Sequence, residues 1–128
     1  MSNWTAVREH LRTTYKLEDD VGEFVSIVWG FPDDRSQKVV VRTFKAFEQE
    51  LVEIKSAFAK GATLDANALL ARNAELPLGT IALSGDVYFV VYNTLLTDLS
   101  DSTLKLMMTE VATVADSLEK QFGTGDRY

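Results

Sequence analysis

The segment from Ser100 to Phe122 constrains the fold more than any other part of the chain. Leu104, Met107, Met108, Val111, Val114, Ala115, Leu118 and Phe122 fall on one side of a helix of about five turns and make a wide apolar stripe. Ser100 is a good N-cap, and Leu99 just before it can staple onto Leu104 four positions inside. A stripe of this width needs a sheet to cover it.

The residues upstream supply the strands for that sheet. Thr63 or Asp65 caps a short helix over residues 66–74, with Leu69 and Leu70 facing inward, and Pro77 stops it. A strand is predicted from Gly79 through Leu83. Ser84-Gly85-Asp86 then turns the chain tightly, and residues 87–93 return as the second arm of a hairpin.

At the other end, Trp4, Val7, Leu11 and Tyr15 predict a helix from Asn3 to about Leu17, capped by Asn3 or Ser2. Glu18, Asp19 and Asp20 oppose the dipole at its C-terminus, and Gly22 supplies a turn. Residues 23–29 and 38–47, separated by the turn chemistry of Phe-Pro-Asp-Asp-Arg-Ser, read as a strand pair. Residues 51–58 are ambiguous. Val52, Ile54 and Phe58 suit a strand, whereas Glu50, Leu51, Lys55, Ala57 and Ala59 also suit a helix. The period-two run Val52-Glu53-Ile54-Lys55 places them as a third strand.

The resulting order is α-β-β-β-α-β-β-α, an α+β fold in which a five-stranded antiparallel sheet packs with three helices. One domain over residues 1–122 and a flexible tail over 123–128 are expected, with no internal repeat and no linker. A chain of 128 residues can bury roughly two-thirds of its unfolded surface, enough for one core without staples.

Composition removes several functional classes. There is no cysteine, so thiolate metal sites, disulfides and a thiol nucleophile are excluded, and a reducing, cytoplasmic compartment is the expectation. No stretch approaches the roughly 20 apolar residues that span a bilayer, and the charged, amphipathic N-terminus does not read as a secretory leader. The net charge of −6, with Lys and Arg scattered, argues against nucleic acid as a partner.

The side chains that resemble catalytic groups have structural readings. His10, the single histidine, sits at the edge of the first helix stripe with no recognisable nucleophile, and no Gly-x-Ser-x-Gly elbow exists. Glu18-Asp19-Asp20 and Asp33-Asp34 lack calcium-loop spacing and read as solvated turns. Ser84-Gly85-Asp86 is a hairpin turn, and Gly123-Thr-Gly125 has no helix after it to hold a phosphate. Neither a catalytic residue nor a cofactor or metal ligand is assigned.

The aromatic residues carry more information. Period-two reading spreads Trp29, Phe31, Phe44, Phe47, Phe58, Tyr88, Phe89 and Tyr92 over both faces of the sheet. One face packs under helices. The other is either covered by turns and helices too, or left as an apolar surface for another chain. On the second reading Trp29, Phe31, Phe44, Phe47, Tyr88 and Tyr92 form a candidate partner-binding surface.

The second half also resembles a known family. Residues 69–83 (Leu-Leu-Ala-Arg-Asn-Ala-Glu-Leu-Pro-Leu-Gly-Thr-Ile-Ala-Leu), the short hairpin, Leu95-Leu96-Thr-Asp-Leu99-Ser and Val114-Ala-Asp-Ser-Leu118-Glu119 look like the type III secretion chaperone-like fold, closest to its YbjN-like (sensory transduction regulator) branch. The order of elements matches along nearly the whole chain. The resemblance implies a non-enzymatic, bacterial, cytoplasmic homodimer that holds a protein or peptide client. It places a candidate dimer interface along the short helix and hairpin, at Leu69, Leu70, Leu76, Ile81 and Val90. Two other functions remain open: a small-molecule sensor or enzyme using Tyr88, Tyr92 and an acidic loop around a pocket, and a purely structural subunit whose apolar face is consumed by self-association.

Overall fold

A computed structural model of the chain describes residues 1–61 and 63–122. The elements are α1 (Trp4–Thr14), β1 (Leu17–Val21), β2 (Phe24–Gly30), β3 (Ser36–Ala46), β4 (Gln49–Lys60), α2 (Ala66–Asn73), β5 (Thr80–Ser84), β6 (Val87–Leu95) and α3 (Asp101–Phe122), with one 3-10 turn at Leu96–Asp98. The strands form one six-stranded sheet in the order β1-β2-β3-β4-β6-β5, antiparallel throughout.

The sheet therefore has six strands, not the expected five. The additional strand, β1, contains Glu18, Asp19 and Asp20, where the residue pattern predicts a helix end and a turn. α1 stops at Thr14, and Tyr15 is already extended. The acids are tolerated in a strand because β1 is an edge, where charge prevents pairing with other chains. Asp19 and Asp20 also find partners nearby. Asp20 receives Arg8 at 2.7 Å and Arg12 at 2.5 Å, and the Ser26 hydroxyl donates to Asp19 at 2.6 Å. The Arg12 hydrogen bond, followed by that of Arg8, holds the Asp20 carboxyl below its ordinary range.

Side-chain alternation divides the sheet into two faces. Val25 and Ile27 of β2, Val39 and Val41 of β3, Val52, Ile54 and Phe58 of β4 and Val90 of β6 point to one of them and are buried. They meet Val7 and Leu11 of α1, Leu69 of α2, and Leu104, Met108, Val111, Ala115 and Leu118 of α3 in one contiguous core. The expected stripe of α3 thus lies on the sheet. Its start is also as read, since Thr103 N donates to the Ser100 hydroxyl at 3.2 Å and Ser100 N to the Thr103 hydroxyl at 2.8 Å. In the alternative the sequence left open for α2, Asp65 is the cap: its carboxylate accepts from Asn67 N at 3.0 Å and Ala68 N at 3.3 Å. The expected tail, 123–128, lies outside the described residues.

A buried ion cluster fixes α3 against the turn between β2 and β3. Arg35 donates to Asp116 at 2.8 Å and to the wholly buried Glu119 at 2.9 Å. Lys120 adds contacts to Asp33 at 3.0 Å and to Asp116 at 3.4 Å. The guanidinium fork matches two carboxylates one helical turn apart, so the cluster sets the helix register as well as its position.

Candidate protein-binding face

Among the described residues the second face of the sheet carries no helix. Strand register brings Phe24 and Val28 of β2, Val40 and Phe44 of β3, Leu51 of β4, and Phe89, Val91 and Leu95 of β6 onto it. Each of these strands is apolar on both sides, so the period-two pattern that builds the core also builds this surface. Most of these side chains are half-buried by one another, while Val28 is 53% and Leu95 39% exposed.

Charged residues cross the face in fixed pairs. Arg42 of β3 stands opposite Glu53 of β4 and grips it bidentately, at 2.7 Å and 3.2 Å. Lys55 reaches the same carboxylate at 3.2 Å, and Lys38 reaches Asp19 at 3.0 Å. Burial raises the Glu53 carboxyl, but the Arg42 hydrogen bond and the two cations outweigh it and leave Glu53 below its ordinary value. The Ser26 hydrogen bond, then Lys38, lowers Asp19 in the same way. The cations also lie over rings: Arg42 stands 4.8 Å from the Phe44 centroid and Lys55 5.0 Å from that of Phe89, an attraction that keeps the stems flat on the sheet.

Between the pairs lies a shallow recess of about 450 Å³, bordered by Val28, Lys38, Val40, Lys55 and Phe89. Its charges neutralise one another and its floor is apolar strand. Such a surface suits an extended chain that offers alternating apolar side chains.

The six residues expected to form the partner surface are not brought together. Trp29 lies on the helix-covered side and packs on Tyr15 with ring centroids 5.8 Å apart. Tyr88 shares that side and packs on Phe58 at 6.0 Å, as does Tyr92, opposite Ile54. Phe31 packs against the core from the turn after β2. Phe44 alone lies on the open face. Phe47 occupies the tip of the β3–β4 hairpin, 96% exposed, and both turn residues, Phe47 and Glu48, have positive φ (54° and 61°). A two-residue hairpin demands that conformation, and a bulky aromatic adopts it at a cost. Phe89, Val91, Leu51, Leu95 and Val40, outside the expected set, make up most of the open face instead. Their signal was present in the alternation, but the sequence could not say which side the helices cover.

Of the expected dimer residues, Val90 and Leu69 are buried in the core and Ile81 and Leu76 are partly buried, whereas Leu70 is 65% exposed. Leu70 and the 57% exposed Leu83 flank a cleft of about 240 Å³ between α2 and β5, which Tyr88 also lines. Tyr88 and Tyr92 do not line the recess of the open face. His10 contacts the exposed Asp101 at 3.5 Å. Among the described residues no group of three or more His, Asp or Glu is placed to hold a metal ion, and no helix is long and apolar enough to cross a membrane.

No family model matches the chain, and no curated protein does. Among solved structures, a chain of the HopA1-SchA chaperone-effector complex superposes with a TM-score of 0.62 and 13% sequence identity, over 91% of this chain and 91% of that one. At that identity the likeness concerns architecture alone: three helices on one side of an antiparallel sheet, in the fold of a chain found in a chaperone-effector complex.

Proposed function

We propose that the protein is a non-enzymatic binding module that holds an extended segment of a protein client against the open face of its sheet. The observation that carries this reading is the helix-free face itself, where aromatic and aliphatic side chains alternate with charges already paired to one another. A chain that meets this face can bury apolar area without leaving a cation or carboxylate unpaired. The architectural likeness to a chain of a chaperone-effector complex supports a chaperone-like role. Within that role, the residue resemblance of the second half favours the YbjN-like, regulatory branch, in a cytoplasmic homodimer whose seam runs along α2 and β5 through Leu70, Ile81 and Leu83.

The test is capture from a native lysate by the wild-type chain and by Phe89→Glu, which places an unpaired carboxylate on the open face. The expected result is a discrete protein retained by the wild type and lost from the variant. Recovery of no protein, or equal recovery by both, would contradict the reading.

A further inference from the structure

The two edges of the sheet are protected very differently. At β1 three consecutive acids, Glu18, Asp19 and Asp20, line the edge strand, with Asp20 held by Arg8 and Arg12 of α1, and a second β1 laid against it would set carboxylates opposite carboxylates. At β5 there is no charge anywhere from Leu76 to Gly85. Ser84 pairs with Val87 across a two-residue turn, so alternation along the hairpin directs the main-chain groups of Ile81 and Leu83 away from β6. Those of Ile81 are occupied by one side chain. Ile81 N donates to Asn73 Oδ1 at 2.5 Å, and Asn73 Nδ2 donates to Ile81 O at 3.2 Å. The Asn73 amide at the end of α2 thus fills the donor and acceptor positions that a neighbouring strand would use. No other side chain among the described residues bonds to this edge.

We propose that Asn73 is a latch that governs strand addition at β5, and that the strand it holds off is β5 of a second copy of this chain. This rests on the homodimer seam proposed above and adds its control. With the latch closed, two antiparallel β5 strands can bond only about Leu83, through its own pair of main-chain hydrogen bonds. With the amide withdrawn, Ile81 of each copy faces Leu83 of the other, and the number of hydrogen bonds doubles. No like charges meet in that pairing. Leu83 of each copy, exposed on the helix side, lies against Ile81 of the other as the strands join. A carboxamide suits a reversible latch because it offers both a donor and an acceptor and does not titrate.

The experiment compares the wild type, Asn73→Ala and Asn73→Asp by sedimentation equilibrium and by amide hydrogen exchange, with Val90 protection reporting an intact core. Asn73→Asp keeps the shape but turns the donor into a second acceptor facing Ile81 O. The expected result is faster exchange at Ile81 in the monomer for Asn73→Ala, which removes the acceptor of its N–H, whereas Asn73→Asp keeps that acceptor and loses only the donor to Ile81 O. Self-association should tighten by on the order of tenfold, the effect of gaining uncontested hydrogen bonds. Adding Leu83→Pro, which removes an edge N–H without touching the β5–β6 ladder, should return the variants to monomer. Unchanged Ile81 exchange in Asn73→Ala, or association unchanged or weakened in that variant with an intact core, overturns the latch. Capture of a client on the open face is read separately through Phe89, so failure here and failure of the binding role are distinguishable.

Discussion

The two faces of the sheet are built from the same residue types and end in opposite states. On one, Val25, Val39, Val41, Val52, Ile54 and Phe58 are fully buried beneath α1 and α3. On the other, Phe24, Val40, Phe44, Leu51, Phe89 and Val91 rest half-buried on one another, crossed by the ladder Arg42–Glu53–Lys55. Apolar alternation is thus sufficient to make a strand, but the placement of helices decides which side becomes core. The paired charges mark the difference. On the open face they cross the middle of the sheet, between β3 and β4, whereas on the covered side they come from the edge strand β1 and the β2–β3 turn, as Asp20 with Arg8 and Arg12 and Arg35 with Asp116 and Glu119. The first face stores stability, and the second leaves area for a partner.

The contrast is sharpest in mutants. Ile54→Ala removes a fully buried side chain and is expected to cost about 3 to 4 kcal/mol, measured by denaturant unfolding. Arg35→Met takes the guanidinium from Asp116 and the buried Glu119 and should cost about 3 kcal/mol by the same measurement. A loss below about 1 kcal/mol for either would mean that the covered face is not the stabilising one.

Acid should act first on the edge strand β1 and on the Arg42–Glu53 pair of the open face. Asp19, Asp20 and Glu53 have folded-state affinities for protons lowered below the unfolded values near 3.8 and 4.5. Their contribution is fully present above those values and is lost as pH falls through the lower, folded ones. Hydrogen exchange at about pH 3, set against about pH 6, is therefore expected to rise at β1 and along Arg42 and Glu53 before it rises at Ile54 or Val90. Simultaneous loss at both faces would break the distinction.

Phe47→Asn should stabilise the chain by about 0.5 to 1 kcal/mol, because Asn accepts the positive φ that Phe47 adopts at the hairpin tip. The smallest change in stability is expected at the open face, where Phe89→Glu should stay within about 1 kcal/mol of the wild type while abolishing capture of the client.

Much of this architecture is legible from residue pattern. The stripe from Leu104 to Phe122, the Ser100 cap, the Ser84-Gly85-Asp86 turn and the strand at Val52 to Phe58 all follow from local spacing and turn chemistry. β1 does not, because Asp19 and Asp20 become acceptable in a strand only once Arg8, Arg12, Ser26 and Lys38 arrive from elsewhere in the fold. The binding face was half legible. Strand alternation shows that Phe89 and Tyr88 point opposite ways, but only the packed position of α3 assigns Tyr88 to the covered side and Phe89 to the open one. The latch at Asn73 has no local signature, since it exists only when α2 is folded against the β5 edge.

The most direct measurement places a photo-crosslinking phenylalanine at position 89 on the open face and, separately, at Leu106, which is 50% exposed on α3, and irradiates cells that make the protein. The expected result is a discrete adduct with another protein from position 89 and none from position 106. An adduct from position 106 alone, or none from either, would contradict the open sheet face as the binding surface.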